Sequence, residues 1–523
     1  MNSISLFIIL VAGFANNIFV LGSEIEISFK NFSSSDKDHL DIEIELSPFS
    51  ETKAILSNIP PYVDFVIFQV HSFLQSVILS YDSVLSTHNY VNGTNVGLYS
   101  NASNTAYFYI KNQYDFNVSC MIAVVPYTNE SPLPGGCNME LPVPISPYLS
   151  LETNYIMITI DGPPASLSMK CDISSLSYVS YVMFYKFLHQ NEFSVQFYFE
   201  SIRSMLTYPR ILKSSYVAPK PIEGPISRRI FSRYNGVGSI YSLIAFSKFG
   251  NVAVYTPSAL FPYDTLNNLE PYSVALKIQL ASFVMLCVFL CFGGHRYFMG
   301  ELFVLGAVFG FLLSYILLFH QTSSQGDLLL MCNGIGFICG ILWTSLWWCV
   351  NSPILSVGLS FVMNGLLISS LMSHIFSIFM GDATIFQNDL NYWLTYFTIS
   401  VIIVLVSTTD PVKYNIISCA TIGAYGIILP FDFYFGTTFK YIIVNVINRA
   451  TVEGFNLALT KPPIQIADFI IGIVWLLVIR AGIVCQKKLT SHRPPFPPVC
   501  FILREHMFEA TPILSSARFP SYS

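Results

Sequence analysis

The segment LFVLGAVFGFLLSYILLFH, residues 302–320, contains no Asp, Glu, Lys or Arg. A helix needs about 20 apolar residues to cross the hydrocarbon core of a bilayer, and its backbone polar groups must be satisfied within the segment. The segment therefore predicts a membrane-spanning helix. It also decides the class of fold, because the chain carries several more segments of this kind.

Seven apolar segments of this type lie in residues 272–485, and we interpret that region as a bundle of seven transmembrane helices. The predicted spans are residues 273–294, 302–320, 328–350, 354–379, 392–409, 414–435 and 466–485. With 53% hydrophobic and 11% charged residues, the whole chain is too apolar for a soluble globular protein. The Lys and Arg residues form no cluster with interleaved aromatics, so we expect no nucleic acid as a partner.

N-glycosylation sequons occur only before the first predicted span. Their acceptors are Asn31, Asn92, Asn101, Asn117 and Asn129, the last weakened by Pro132. Because the oligosaccharide is attached on the lumenal side, this region should be extracytoplasmic. An odd number of spans then places the tail, residues 486–523, in the cytoplasm, and most of the basic residues beside the spans favour that orientation. We expect a multi-pass protein of the plasma membrane or the secretory pathway.

The region before the spans is predicted to be all-β. Residues 1–22 have the short apolar core of a signal peptide. Residues 23–144 then alternate apolar and acidic side chains, as in Ile42-Glu43-Ile44-Glu45-Leu46, which is typical of strands with one buried face. A Pro-rich passage leads into a second strand-rich region, residues 145–271. We therefore predict two sandwich-like extracellular domains, with all sequons on the first.

Three cysteines, Cys120, Cys137 and Cys171, lie in this extracellular region, where disulfides form and persist. A bridge between Cys120 and Cys137 would close a short loop around Pro134-Gly135-Gly136 and leave Cys171 without a disulfide partner. We take this pair as the candidate disulfide, although the sequence alone permits all three pairings.

Glycines at four-residue spacing predict close helix packing in the bundle. Gly306 and Gly310 lie in the second span, and Gly336 and Gly340 lie in the third. Small residues of this kind let neighbouring helix backbones approach closely. Intramolecular packing is the main interpretation, and a dimer face or a moving gate is the alternative.

Ionisable side chains in the spans are functional candidates because they are costly in lipid. Asp432 follows Pro430, where we expect the helix to lose a hydrogen bond and break. Asp468 and Arg480 belong to the last span. For Asp432 we favour a position at the membrane edge, where a carboxylate costs little; the functional alternative is a wet cavity, a bound cation or a pair with Lys440.

His374 is the other polar candidate, and Ser370 precedes it by about one helical turn. We interpret His374 as a polar residue between helices or at the membrane interface, and a functional role is the alternative. Arg296 and Glu301, by contrast, fall between the first two predicted spans. We expect both in a solvated loop.

The chain shows no nucleophile elbow, phosphate-binding loop or dinucleotide fingerprint. Ser370 and His374 have no second histidine motif that would complete a zinc site, so an intramembrane hydrolase is disfavoured. We expect no enzyme, no metal and no cofactor. Seven spans suggest a G-protein-coupled receptor, but the third ends in Trp347-Trp348-Cys349-Val350 without the acidic-Arg-aromatic triplet of the main class. Coupling to a G protein is therefore disfavoured.

Several stretches, in order along nearly the whole chain, resemble the transmembrane 7 superfamily member 3 family. The stretches are Phe65-Val66-Ile67-Phe68-Gln69-Val70-His71-Ser72, Pro134-Gly135-Gly136-Cys137-Asn138-Met139-Glu140, Gly294-His295-Arg296-Tyr297-Phe298, Glu301-Leu302-Phe303, Asp432-Phe433-Tyr434, residues 441–450, Asp468-Phe469-Ile470 and Arg493-Pro494-Pro495-Phe496-Pro497-Pro498. The resemblance implies a bundle related to the transmembrane protein 198 type. It also implies a pro-survival role that limits endoplasmic-reticulum stress and the unfolded-protein response and supports regulated secretion, without catalytic residues.

Our first hypothesis is a non-enzymatic receptor-like or scaffold glycoprotein with an extracellular or membrane protein partner besides the bilayer. The alternative is a channel or transporter, suggested by the Gly-rich spans and the expected break near Pro430. The oligomeric state is left open.

Overall fold

The computed structural model describes residues 20–30, 32, 38–102, 105–167, 171, 178–189, 192, 194–219, 226–261, 274–322, 325–350, 353–380 and 384–491. The chain divides into two compact units. The first comprises Met1–Glu270 with Leu457–Pro463, and the second comprises Pro271–Asn456 with Ile464–Ser523. Each unit is described by itself.

The first domain of unit 1 is a sandwich of nine strands. They are β1 (Val20–Ser28), β2 (Leu40–Leu46), β3 (Ser50–Ser57), β4 (Phe65–Ser72), β5 (Val77–Ser80), β6 (Tyr90–Gly93), β7 (Asn95–Asn101), β8 (Thr105–Lys111) and β9 (Val118–Tyr127). One sheet has the order β1-β3-β8-β5-β6 and the other β2-β9-β4-β7. The stacked rings of Phe68 and Phe108, 4.2 Å apart, join the two sheets in the core.

The second domain has eight strands and two short helices. They are β10 (Ser150–Thr153), β11 (Met157–Gly162), β12 (Val179–Phe187), α1 (Val195–Arg203), α2 (Tyr208–Ser214), β13 (Tyr216–Val217), β14 (Ser227–Ser232), β15 (Ser239–Ser247), β16 (Val252–Val254) and β17 (Ser258–Leu260). Its sheets have the orders β10-β11-β14 and β13-β12-β15-β16, and β17 also pairs with β15.

The two domains share apolar cores. Met121 of β9 packs in one cluster with Phe184 and Ile240 of the second domain. Phe65 and Ile67 of β4 pack in another cluster with Ala253. Strand β4 is therefore buried on both faces, which explains why its sequence is continuously apolar rather than alternating.

Charged groups also join the domains. The Arg203 guanidinium at the end of α1 contacts Asp41 of β2, with Nε 2.7 Å from Oδ2, and it also contacts Glu43. The side chains of Thr207 and Arg210 donate hydrogen bonds to the Asp38 carboxylate. These contacts fix the helical face of the second domain against the first.

The predicted disulfide is wrong, because the structure bonds Cys137 to Cys171. Cys120 is a free, buried residue in β9, facing the sandwich core. Burial raises the pKa of its thiol, which keeps it in the neutral form. The pairing joins residues 34 positions apart, so spacing along the chain could not reveal it.

The predicted signal segment lies mostly outside the described residues. Val20 and Leu21 belong to this segment, and at the start of β1 they pair with Ser50 and Glu51 of β3. The first sheet therefore begins inside the predicted segment, before the boundary at residue 22.

The second unit is helical. Its α-helices are α3 (Val274–Gly293), α4 (Phe298–Leu318), α5 (Gln325–Val350), α6 (Pro353–Met380), α7 (Asp389–Ser407), α8 (Pro411–Phe435), α9 (Tyr441–Thr451) and α10 (Ile466–Thr490). Each predicted span coincides with one long helix. The last helix continues to Thr490, so the predicted tail boundary at residue 486 lies within it. Residues 492–523, with the Pro-rich motif, lie outside the described part.

Six helical stretches in the described chain are long and apolar enough to cross a membrane, against seven predicted. The numbers differ because Ile278–Leu318 forms one stretch of 41 residues, in which a 3₁₀ turn, Gly294–Tyr297, joins α3 to α4. A stretch of this length spans about 60 Å if straight, twice the hydrocarbon thickness. The chain bends sharply at the turn instead, since Phe289 before it packs beside Gly300 after it.

The expected break at Pro430 is wrong. Helix α8 continues through Pro430 to Phe435. Proline in a transmembrane helix is tolerated where neighbouring groups satisfy the freed backbone, so the residue alone does not decide where a helix ends.

Candidate functional site: a buried carboxylate in the helix bundle

A cluster of polar side chains surrounds Glu301 inside the bundle. The 3₁₀ turn between α3 and α4 supplies His295, and the first turn of α4 supplies Glu301. Helix α8 contributes Asn415 and Cys419, and α6 contributes Ser360. All five side chains are buried, although their helices are apolar.

Glu301 is fully buried. Its Oε2 accepts a hydrogen bond of 3.1 Å from Nδ2 of Asn415, and the Cys419 thiol lies beside the carboxyl group. Oε1 has no hydrogen-bond partner among the described residues. The groups that contact the carboxyl are therefore uncharged and leave one of its oxygens with unused capacity.

Asn415 holds the cluster together. Its Nδ2 lies 3.0 Å from Nδ1 of His295, and its Oδ1 accepts a hydrogen bond of 2.5 Å from the Ser360 hydroxyl. One amide thus joins three helical segments to Glu301. Networks of this kind fix a specific arrangement of helices when their members are satisfied.

A second amide closes the end of α3. Gln486 of α10 is fully buried and donates from Nε2 to the carbonyl of Cys291 at 2.7 Å. Its Oε1 accepts from the His295 backbone N–H at 3.2 Å. The side chain satisfies a terminal carbonyl of α3 and places the turn that carries His295.

An isolated carboxylate is costly to bury, so an ionised Glu301 needs a compensating positive charge. The uncharged partners in this cluster suit a carboxyl group that carries a proton, or one that takes up a cation. The arrangement can therefore bind and release a single positive charge within the bundle. Among the described residues, no three His, Cys, Asp or Glu side chains converge in a geometry that could hold a metal ion.

The structure gives Asp468 a structural position. It is buried in the first turn of α10, where Oδ2 accepts from the Gln465 backbone N–H at 2.7 Å. Oδ1 accepts from both the N–H and the hydroxyl of Thr438. Asp468 thus forms a capping box and ties the residues after α8 to the start of the last helix.

The other predicted polar residues lie apart from the cluster. His374 is buried in α6, and its Nδ1 has no partner among the described residues; Ser370 pairs instead with the Tyr396 hydroxyl. Arg480 lies on an exposed stripe of α10. Asp432 belongs to α8, but its side chain lies outside the described part.

The four glycines lie where α4 meets α5. A Cβ on Gly306 would lie 3.1 Å from Cα of Gly340, and a Cβ on Gly310 would lie 3.2 Å from Cα of Gly336. The two helices thus pack with nearly touching backbones, and the interface is within one chain. This is the geometry that we expected for small residues at this spacing.

Four of the five sequon asparagines are exposed. Asn92, Asn101, Asn117 and Asn129 all lie at the surface of the first domain, while Asn31 lies outside the described residues. The first four can be reached by a transferase, and their glycosylation remains a prediction.

Sequence reasoning missed Glu301 and placed it, wrongly, in a solvated loop. The loop does not exist, because the turn at residues 294–297 is too short to bring Glu301 out of the bundle. The available signal was a carboxylate near the start of a span whose next 19 residues carry no charge.

Three family models cover most of the chain. The model "TM7SF3-like, N-terminal immunoglobulin-like domain" matches residues 35–127, and "TM7SF3-like, second immunoglobulin-like domain" matches residues 132–262. The model "TM7S3/TM198-like domain" matches residues 280–487. The two β domains are therefore immunoglobulin-like, followed by the helical region.

Curated relatives agree with the models. The chain is 30% identical over 472 residues to transmembrane 7 superfamily member 3 from Homo sapiens, covering 86% of this chain and 82% of the relative. It is 28% identical over 476 residues to the Mus musculus protein, covering 87% and 83%. The chain belongs to the transmembrane 7 superfamily member 3 family.

Proposed function

We propose that this protein is a non-enzymatic, receptor-like membrane glycoprotein whose two immunoglobulin-like domains bind a protein partner outside the cytoplasm. The observation that carries the proposal is the joined pair of domains, held by two shared apolar cores and by the Arg203 and Asp38 contacts. A fixed arrangement presents a preformed surface, so little ordering free energy is lost on binding. The helix bundle anchors the two domains in the membrane or transmits the binding of their partner across it.

The cellular role that we propose is pro-survival. By its resemblance to the family, the protein limits endoplasmic-reticulum stress and the unfolded-protein response and supports regulated secretion. A lumenal or extracellular sensing domain on a membrane anchor suits such a role, because the signal arises on one side of a membrane.

The proposed topology has the amino terminus outside, seven crossings and the carboxyl terminus in the cytoplasm. One hydrogen-bonded pair supports it: the Leu459 N–H donates to the Ile230 carbonyl, and the Leu459 carbonyl accepts from Ser232. Leu459 precedes α10, and Ile230 lies in β14 before the bundle. Residues bonded in this way lie on one side of a membrane, so the chain crosses it an even number of times between them. Helices α3 to α8 supply six crossings, and α10 is the seventh.

The ion pairs between the domains should persist at lumenal pH. The His39 ring, whose Nε2 lies 3.5 Å from Oδ1 of Asp41, and the Arg203 guanidinium outweigh burial and lower the pKa of Asp41 from 3.8 to about 2. A lowered carboxyl pKa contributes stability above pH 3.8 that is lost as the pH falls through about 2. Acidic compartments near pH 5 therefore leave these pairs intact.

Arg203→Asp tests whether the joined domains are the functional part. Like charges would then face Asp41 and Glu43, so we expect weaker protection in cells that lack the endogenous protein. A reporter of the unfolded-protein response, read after chemical stress at matched protein levels, measures the effect. The charge swap Arg203→Asp with Asp41→Arg should recover much of the protection. Full protection by the single variant would contradict the proposal.

A channel or transporter is the second candidate function. The fully buried Glu301 favours it, because a carboxyl group with uncharged partners in the bundle can exchange a proton or a cation. A helix break at Pro430 no longer supports a transport function, because α8 continues through that residue.

For this candidate, purified protein in liposomes should show proton or cation flux that falls at least about tenfold in Glu301→Gln, since the amide cannot ionise. The matched control is Asp327→Asn, an exposed carboxylate in the first turn of α5. Absence of flux with the wild-type protein would retire the transport function. Unchanged flux in Glu301→Gln would retire the role of this residue.

A further inference from the structure

The last helix carries two cations on one apolar stripe. Leu477, Arg480, Ala481, Val484, Cys485 and Lys488 line a groove of about 520 Å³ along α10. Their spacing of three and four residues places them on one face of the helix. The groove is shallow and open along its length. The small side chain of Ala481 lies between the larger apolar residues and the two charged ones.

Arg480 falls inside the predicted last span, residues 466–485. It precedes Thr490, the last residue of α10, by about 15 Å along the helix axis and follows Ile466, the first, by about 21 Å. Its side chain is exposed on the outer surface of the helix, and no ion pair joins it to another residue in the described ranges. A guanidinium in this place is costly unless an anion reaches it.

Lys488 lies about 12 Å further along the same face, near the end of the helix. Long cationic side chains of this kind extend toward the headgroups while their stems lie on apolar surface. By the same rule, Arg480, about 15 Å from that end, reaches the headgroups only by extending toward Lys488, and the apolar face of the helix lies between the two residues. A phosphate in this gap would meet a positive charge on each side.

We propose that this groove binds an anionic phospholipid from the leaflet at the carboxyl end of α10. The lipid phosphate lies between Arg480 and Lys488, and one acyl chain follows Leu477, Ala481 and Val484. Guanidinium binds phosphate oxygens in a bidentate manner, which favours arginine at the deeper position. An anionic headgroup, such as that of phosphatidylserine, supplies more negative charge to these cations than zwitterionic phosphatidylcholine does.

The test uses the full chain in nanodiscs of phosphatidylcholine with or without phosphatidylserine. Native mass spectrometry counts the retained phosphatidylserine, and thermal unfolding reports the stabilisation that it confers. A cation near the membrane surface contributes about a fivefold gain in affinity, and with that value for each of the two residues we expect Arg480→Leu with Lys488→Leu to weaken binding about 25-fold. Phosphatidylserine should raise the unfolding temperature of the wild type, and the double variant should lose this shift because it binds the lipid more weakly.

Lys487→Leu is the matched control, because Lys487 is the adjacent exposed cation and does not line the groove. It should retain the lipid as the wild type does. If the leucine pair fails to fold, Arg480→Gln with Lys488→Gln gives the same readout. Equal retention of both lipids by the wild type, an unchanged double variant, or an equal loss in Lys487→Leu would each overturn the proposal.

Discussion

Lys111→Met is expected to lower the free energy of unfolding of the first immunoglobulin-like domain by about 3–5 kcal/mol. Lys111 Nζ lies 2.9 Å from Oε2 of Glu51, and the two side chains are only 5% and 8% exposed. They are direct partners across β3 and β8. Removal of the ammonium leaves the Glu51 carboxylate buried beside an apolar side chain. Denaturant unfolding of the secreted two-domain fragment measures the loss.

The double variant Glu51→Leu with Lys111→Met separates the two contributions. It removes both charges, so most of the lost stability should return, since paired burial of charge is close to neutral against apolar packing. Lys53→Met is the control: it removes an exposed pair with Glu24 and should change stability little. A double variant as unstable as Lys111→Met would contradict this account of the pair.

The second large effect is a loss of stability in acid. Burial lowers the pKa of His71 from 6.5 to about 4, against a hydrogen bond with Asn95 that raises it. The unfolded chain therefore binds more protons between these values, and stability falls as the pH falls from 6.5 to 4. The whole effect is about 3 kcal/mol, of which about 2 kcal/mol is lost at pH 5.

His71→Asn should remove this pH dependence, because its side chain cannot be protonated. The ring contacts Asn95 through Nδ1 and Gln69 through Nε2, and the Tyr198 hydroxyl of the second domain also reaches Asn95. His88→Asn, at an exposed histidine of the same domain, should leave the dependence unchanged. Denaturant unfolding at a series of pH values measures both. An undiminished slope between pH 6.5 and 4 in His71→Asn would contradict the assignment.

The β domains could be predicted because the strands obey a local rule. Alternation of apolar and acidic residues in β2 predicted a strand, and the structure has one, with Leu46 buried, Leu40 and Ile44 half-buried and Ile42 exposed. The continuous apolar run in β4 has its reason in the fold, because a second domain covers the other face of the strand. The helices could be predicted equally well, because a bilayer requires apolar segments of about 20 residues and these are visible in the sequence.

The site could not be predicted in the same way. Glu301 and Asn415 are 114 residues apart, and only the packing of α4 against α8 brings them together. The prediction of the disulfide failed for a similar reason, since the fold of the second domain brings Cys171 next to Cys137. Glu301 follows the turn closely in sequence, and for that reason it was predicted to lie in a solvated loop. Long-range contacts, rather than local pattern, decide which polar residues are buried.

The sidedness of the chain is the claim on which the proposed function depends, and one tag in the first domain and one at the carboxyl terminus of the full-length protein test it most directly. We expect a tag inserted before Ser47, in the turn after β2, to be stained in intact cells, and a carboxyl-terminal tag to be stained only after permeabilisation. Glycosidase treatment should lower the mass of the same protein, and replacement of all five sequon asparagines by glutamine should abolish that change. Staining of the carboxyl-terminal tag in intact cells, or a mass that the glycosidase leaves unchanged, would contradict the account.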